Sequence, residues 1–149
     1  MEIRVIAVGR CRNRATLDLC QTYLTRLGPL ARTEVIEVTA RAPGRDAEAD
    51  ALLARVPVGA TVVALDERGK QLDTKSFSKM LTDERDHGTR CLCFLIGGAD
   101  GHGDAVRQAA KRTVSLSLLT FPHMLVRPIL LEQIYRGLTL ASGHPYHRE

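Results

Sequence analysis

The stretch "RCLCFLIGGADGHG" (residues 90–103) decides the fold. From Cys91 to Ile96 it is continuously apolar and short, as a strand covered on both faces must be. Gly97 and Gly98 close it, and a helix is expected over residues 104–112. A strand buried on both sides belongs inside a sheet that carries helices above and below.

Outward from this strand the same alternation repeats. "IRVIAVG" (residues 3–9) is another β-branched, almost wholly apolar strand. After it, Leu17, Leu19, Cys20, Tyr23, Leu24 and Leu27 recur at helical spacing over residues 15–27, until Gly28 and Pro29 stop the run. "TEVIEV" (residues 33–38) alternates at period two, "RAPGRDAEAD" is a loop broken by Pro43 and Gly44, and residues 47–56 form a short helix. "TVVALDERG" (residues 61–69) reads as a buried strand running out into a polar turn. Residues 74–87 form an amphipathic helix with Phe77, Met80 and Leu81 inward. "TVSLSLLTF" (residues 113–121) is a last strand or extended segment before a long helix over residues 124–141. Strands taking turns with helices predict an α/β fold, a mainly parallel sheet with helices on both faces, in one domain over residues 1–149.

Composition agrees. The 149 residues, 44% hydrophobic and 26% charged, suit one globular domain and exclude a disordered chain. No apolar run reaches bilayer length and "MEIRVIAVGR" lacks the parts of a secretory signal, so a cytoplasmic protein with no membrane partner is expected. The cysteines, Cys11, Cys20, Cys91 and Cys93, show no C-x-x-C spacing and are expected to be reduced and structural. No metal is expected, because the closest pair alternates along a strand rather than sitting on a turn. The net charge of +4 is compatible with a polyanionic partner, although no block of like charge marks one.

Ligands of such sheets sit beyond the carboxyl ends of the strands. Three exits qualify: "LDERGK", "IGGADGHG" and "LSLLTFPH". The glycine-rich exit has neither G-x-G-x-x-G nor a following G-K-[ST], so it carries no dinucleotide or Walker signature. In the third, Leu116, Leu118, Leu119 and Phe121 would be costly in water and must cover either the core or a flat ligand such as an adenine ring. Pro128 is expected close enough to the start of the last helix that its missing N–H is no loss. Beyond it, Ile129, Leu130, Ile134 and Leu138 form a buried stripe, and Leu131 and Leu140 widen it enough to serve a dimer interface.

"LDERGK", "FLIGGADG", "SLSLLTFPHMLVRPILLEQIYRG" and the terminal "HPYHRE" resemble the successive signatures of the small SPOUT-class methyltransferases that act on N3 of pseudouridine in large-subunit (23S) ribosomal RNA. The likeness runs from "IRVIAVG" to the last residue. It departs from the family at Ala99 and Asp100, where a proline and a glutamate are usual, and at Pro128, where an aliphatic residue is. The resemblance implies a homodimer whose C-terminal part makes a trefoil knot, with S-adenosylmethionine bent inside it. It places the cofactor on Leu65, Gly97, Leu116, Ser117, Leu118, Leu119, Thr120 and Phe121.

The same resemblance implies the chemistry. The imide N3 must lose its proton before or during attack on the activated methyl. Arg127, Arg136 or Arg148 stabilises the resulting oxyanion, and Glu132, His144, His147 or water takes the proton. "HPYHRE" is expected to close over the site of its own or a partner subunit, with Tyr146 stacking and His144, His147 and Arg148 meeting RNA. Arg4, Arg10, Arg12, Arg14 and Arg45 are candidates for further RNA contacts, on a target expected to be presented by the ribosome. The competing expectations are a ribosome- or RNA-binding factor without catalysis and a SPOUT enzyme acting on tRNA.

Overall fold

The structure, a computed structural model, describes residues 1–148. Its elements run β1 (Glu2–Val8), α1 (Arg14–Leu27), β2 (Thr33–Val38), α2 (Arg45–Leu53), β3 (Thr61–Gln71), α3 (Thr74–Asp86), β4 (Cys91–Ile96), α4 (Asp104–Ala109), β5 (Arg112–Ser115) and α5 (His123–Ala141). The sheet has five strands in the order β2-β1-β4-β3-β5, every neighbouring pair parallel. All of β4 is buried, because strand alternation sends its side chains into two separate cores. Leu92, Phe94 and Ile96 join Ile3, Val5 and Ala7 against α1, α3 and α5. Cys91, Cys93 and Leu95 join Ile6 and Val62 against α2 and α4. The helices thus cover both faces, and no helix among the described residues is long and apolar enough to cross a membrane.

Several details differ from the sequence reading. The polar turn expected after the apolar part of β3 lies inside the strand: Leu65 and Lys70 both pair with Val114, so residues 66–69 loop out as a bulge. Asp66 Oδ1 accepts the Arg68 N–H at 2.9 Å to shape that excursion. Gly69 permits the return, since a β-carbon there would stand 2.7 Å from the Val114 carbonyl carbon. Second, α4 stops at Ala109 rather than Arg112, because the Lys111 N–H already donates to Val62 O at 2.9 Å and recruits the chain to the sheet.

Third, α5 starts at His123, which makes Pro128 its sixth residue, beyond the positions whose N–H is free anyway. The helix therefore forgoes one internal hydrogen bond, to the Met124 carbonyl. Fourth, the stripe is shifted. Leu130, Leu131 and Ile134 are fully buried and Leu138 nearly so, but Ile129 and Leu140 are half-exposed, and Arg127, Gly137 and Thr139 take inward places. Gly137 allows α5 to lie on α3, where Ser78 Oγ donates to its carbonyl at 2.6 Å. On α1, Leu17 and Leu19 face solvent although they share the helical spacing of the buried Cys20 and Leu27.

At the opposite end of the sheet from the strand exits, the Glu84 carboxylate, 2% exposed, accepts from Lys111 Nζ at 2.6 Å and Thr89 Oγ1 at 2.8 Å. Burial pushes its pKa up, but these hydrogen bonds and the Lys111 and Arg112 charges outweigh it and hold the group below the ordinary 4.5. A depressed carboxyl contributes stability above its unfolded pKa and loses it as pH falls through the folded one. The melting temperature is therefore expected to drop below about pH 4.5. Glu84→Gln is expected to be about 1–3 kcal/mol less stable at pH 7, with the deficit narrowing in acid. A deficit constant from pH 7 to pH 3 in calorimetric melts contradicts this.

Candidate functional site

The exits of β3, β4 and β5 and the start of α5 enclose a cavity of about 600 Å³, within the range of small-molecule sites. Leu65 and Asp66 form one wall as β3 enters its bulge. Gly97 forms the base, where the chain leaves β4 and turns tightly: Gly98 and Gly101 bridge, with the Gly101 N–H donating to Gly98 O at 3.1 Å. A β-carbon on Gly97 would stand 3.1 Å from Gly101 O and 3.2 Å from His102 Nδ1, so any larger residue would crowd this floor. The opposite wall is the apolar loop after β5. Ser115 Oγ donates to Ser117 O at 2.8 Å and Ser117 Oγ accepts the Leu119 N–H at 2.9 Å, which folds the loop so that Leu116, Ser117, Leu119, Thr120 and Phe121 line the cavity. Seven of the eight residues expected at a cofactor are thus brought together. Leu118 is not among them; the same serine-closed turn points it outward, 83% exposed.

The residues expected at the chemistry lie elsewhere. Arg127 is 2% exposed and off the cavity. Its Nη1 donates to Glu37 Oε2 at 2.5 Å, and its Nη2 to Val8 O at 3.0 Å and Gly9 O at 2.7 Å. Glu37 also accepts the Cys11 N–H at 2.6 Å. Burial raises the Glu37 pKa, but the Cys11 N–H and the guanidinium prevail and hold it low. Arg127 therefore ties α5 to the ends of β1 and β2, a structural place rather than the catalytic one expected.

Glu132, Arg136, Tyr146 and His147 form a second cluster. Arg136 donates twice to Glu132 Oε1, at 2.8 and 2.5 Å, and the Tyr146 hydroxyl donates to the same oxygen at 3.1 Å. The Arg136 guanidinium stands 4.8 Å from the Tyr146 ring centre and its Nη1 is 3.2 Å from His147 Nδ1. Tyr146 also meets Tyr135 edge-on, 4.7 Å between centroids. Gly143, at φ +74°, turns the chain back from α5 so that this packing forms. Burial, a bond with Tyr23 and the Glu132 carboxylate push the Tyr146 phenol up to about 12. His144 and Arg148 are exposed beside the cluster; Glu149 lies outside the described residues. Glu132 is nine residues past His123 of the cavity wall, roughly 13 Å along the helix at 1.5 Å per residue. Within one chain none of the described tail residues lines the cavity.

A family model described as "Predicted SPOUT methyltransferase" matches residues 1–147. The chain belongs to this SPOUT methyltransferase family. The ribosomal RNA large subunit methyltransferase H of Paramagnetospirillum magneticum is 44% identical over 151 residues, covering 99% of both chains. That of Rhodospirillum centenum is 46% identical over 152 residues, again covering 99% of both. A crystal structure of a probable rRNA-methyltransferase from Porphyromonas gingivalis has the same fold, with a TM-score of 0.54 at 11% identity over 94% of this chain and 69% of its own.

In this SPOUT chain the arginines named for RNA divide by position. Arg10, Arg12 and Arg14 are exposed at the exit of β1. Arg45, at the start of α2, lines the cavity mouth, so these four share the carboxyl edge of the sheet. Arg4 lies within β1 and is taken up by Glu2 at 2.7 Å and Glu34 at 3.1 Å, which removes it from that edge. Asp66, His102 and His123 also line the SPOUT cavity, beyond the residues expected there from the sequence. The one available signal was a histidine set between two glycines in "GHG", where a turn alone needs no imidazole.

Proposed function

We propose that this chain is an S-adenosylmethionine-dependent rRNA methyltransferase that methylates N3 of a pseudouridine in large-subunit ribosomal RNA, on assembled ribosomes in the cytoplasm. The large-subunit rRNA methyltransferase names of its full-length relatives support the substrate class. The observation that carries the cofactor is the cavity itself: a glycine floor, apolar walls and backbone groups at three strand exits suit a nucleoside with a flat base. Leu65, Gly97, Leu116, Ser117, Leu119, Thr120 and Phe121 would hold it. No group of metal-ligating side chains occurs among the described residues.

When bound, S-adenosylmethionine supplies a methyl group already activated by the sulfonium. The protein's task is then to align the imide nitrogen with it and to stabilise charge on the adjacent oxygens. The tail is arranged as donors. Arg136 donates toward His147 Nδ1, and the Tyr146 N–H donates to His144 Nδ1 at 3.2 Å, which leaves Nε2 of each ring to carry an N–H. Those N–H groups, with Arg148, face a developing oxyanion, and Tyr146 stays protonated because its phenol is held near 12. Glu132 has both oxygens engaged, Oε2 by Gln133 at 2.6 Å, so the N3 proton leaves through water.

The separation of tail and cavity within one chain supports a homodimer in which a partner's tail closes the site. Leu17, Leu19, Leu118, Leu119 and Leu125, all exposed, offer apolar surface for that contact. A trefoil knot accords with the path of residues 116–122. β5 lies at the sheet edge, yet His123 and Met124 arrive beside Gly9 at the end of β1, so this segment crosses the ends of β3 and β4. The test is transfer of labelled methyl to ribosomes, 23S rRNA and tRNA, with the product nucleoside identified by mass spectrometry. Label on N3 of a large-subunit pseudouridine is expected; label on tRNA, or none with folded protein, overturns the reading.

A further inference from the structure

His102 is 2% exposed, forms part of the cavity wall and has one unused nitrogen. Its Nε2 lies 3.1 Å from Leu95 O, a contact that a neutral ring makes by carrying its proton there. Nδ1 is then a bare acceptor, buried and without a partner. It is shielded from water but borders the point, 3.2 Å away, where a side chain on Gly97 would begin, so no Gly97 side chain stands between this nitrogen and the cavity floor. Burial keeps the ring neutral, lowering its pKa against the pull of the Leu95 and Leu65 carbonyls and of the Asp66 and Glu48 charges. A buried acceptor left unpaired costs free energy that a ligand donor recovers.

We propose that His102 Nδ1 contacts the bound ligand directly, accepting a hydrogen bond from a hydroxyl or amino donor of a nucleoside in the cavity. The inference rests on the cofactor reading above and adds to it a side-chain specificity contact on a floor otherwise built of backbone. It also gives Gly97 a second reason to lack a side chain: one there would cover the acceptor as well as crowd Gly101.

The test observes the ring nitrogens of histidine-labelled wild-type protein by ¹⁵N NMR during titration with S-adenosylhomocysteine. Nδ1 of His102 is expected to start at a bare-acceptor shift and move to a hydrogen-bonded one on saturation. Saturation with that resonance unmoved overturns the proposal alone. No binding at all overturns it together with the cofactor reading. Two variants separate ligand contact from support of the strand end. His102→Gln keeps a donor for Leu95 O but places no acceptor at the Nδ1 position, and is expected to bind about ten-fold more weakly. His102→Asn keeps an acceptor near the Nδ1 position and should retain more affinity; a folded glutamine variant with wild-type affinity counts against the contact. Adenosine analogues lacking the 2′-hydroxyl, the 3′-hydroxyl or the 6-amino group identify the donor, since the one that matters loses affinity in wild type and not in His102→Gln. Equal losses in both proteins for every analogue also overturn the proposal.

Discussion

Truncation after Gly143 is expected to reduce methyl transfer by at least about a hundred-fold, the scale of losing fixed donors to an oxyanion, while leaving S-adenosylmethionine affinity nearly unchanged. The asymmetry follows from position. Among the described residues none after Gly143 lines the cavity, whose last lining residue is Val126. The removed residues carry His144, Tyr146, His147 and Arg148, and with them the hydrogen bonds that order Glu132 and Arg136 into one array. The helix itself loses only a closing bond, the His144 N–H to Thr139 O at 2.9 Å, so folding should survive. Calorimetry with the cofactor and turnover on ribosomes measure the two halves. Unchanged turnover would remove the tail from the mechanism, and lost cofactor binding would place it in the wrong step.

Gly97→Val should give the converse result, with cofactor binding lost and the fold kept. Its β-carbon would lie 3.1 Å from a backbone oxygen, and backbone cannot swing aside as a side-chain tip can. Overpacking of this kind costs about 1–3 kcal/mol, up to about a hundred-fold in affinity when it falls on a ligand floor. Gly97→Ala should show a smaller loss in the same direction. Near-ultraviolet and far-ultraviolet circular dichroism confirm folding, and a valine variant that binds with wild-type affinity would falsify the assignment of this glycine to the cofactor.

How much of this was legible in the sequence depended on whether a residue's role is local. β4 was legible because continuous apolarity over "CLCFLI" has few structural meanings. The glycine exit and the leucine loop were legible because an apolar loop in water calls for something to cover. What stayed hidden depends on distant partners. Arg127 sits within a motif but spends its donors on Val8, Gly9 and Glu37, more than eighty residues away in sequence, and no spacing rule encodes that. The bulge in β3 was read as a turn because polar residues 66–69 leave the ladder locally, and only the pairing of Lys70 with Val114 shows that the strand resumes. Leu17 and Leu19 fit the helical period yet face outward, since period records amphipathic pattern and not which surface a second molecule covers. His102 is not legible because its neighbours are turn residues, and a turn-forming context hides a buried imidazole.

One further consequence belongs to α5, which runs unbroken for 19 residues from the cavity wall to the turn that launches the tail. A helix is a ruler with a phase: each inserted or deleted residue shifts everything beyond it by about 1.5 Å and rotates it by about 100°. Descendants of this chain are free to exchange side chains along the wet side of that rod, but a change of even one in its residue count would swing the terminal array to another quadrant. Between Pro122 and Gly143, length should therefore be inherited more strictly than composition.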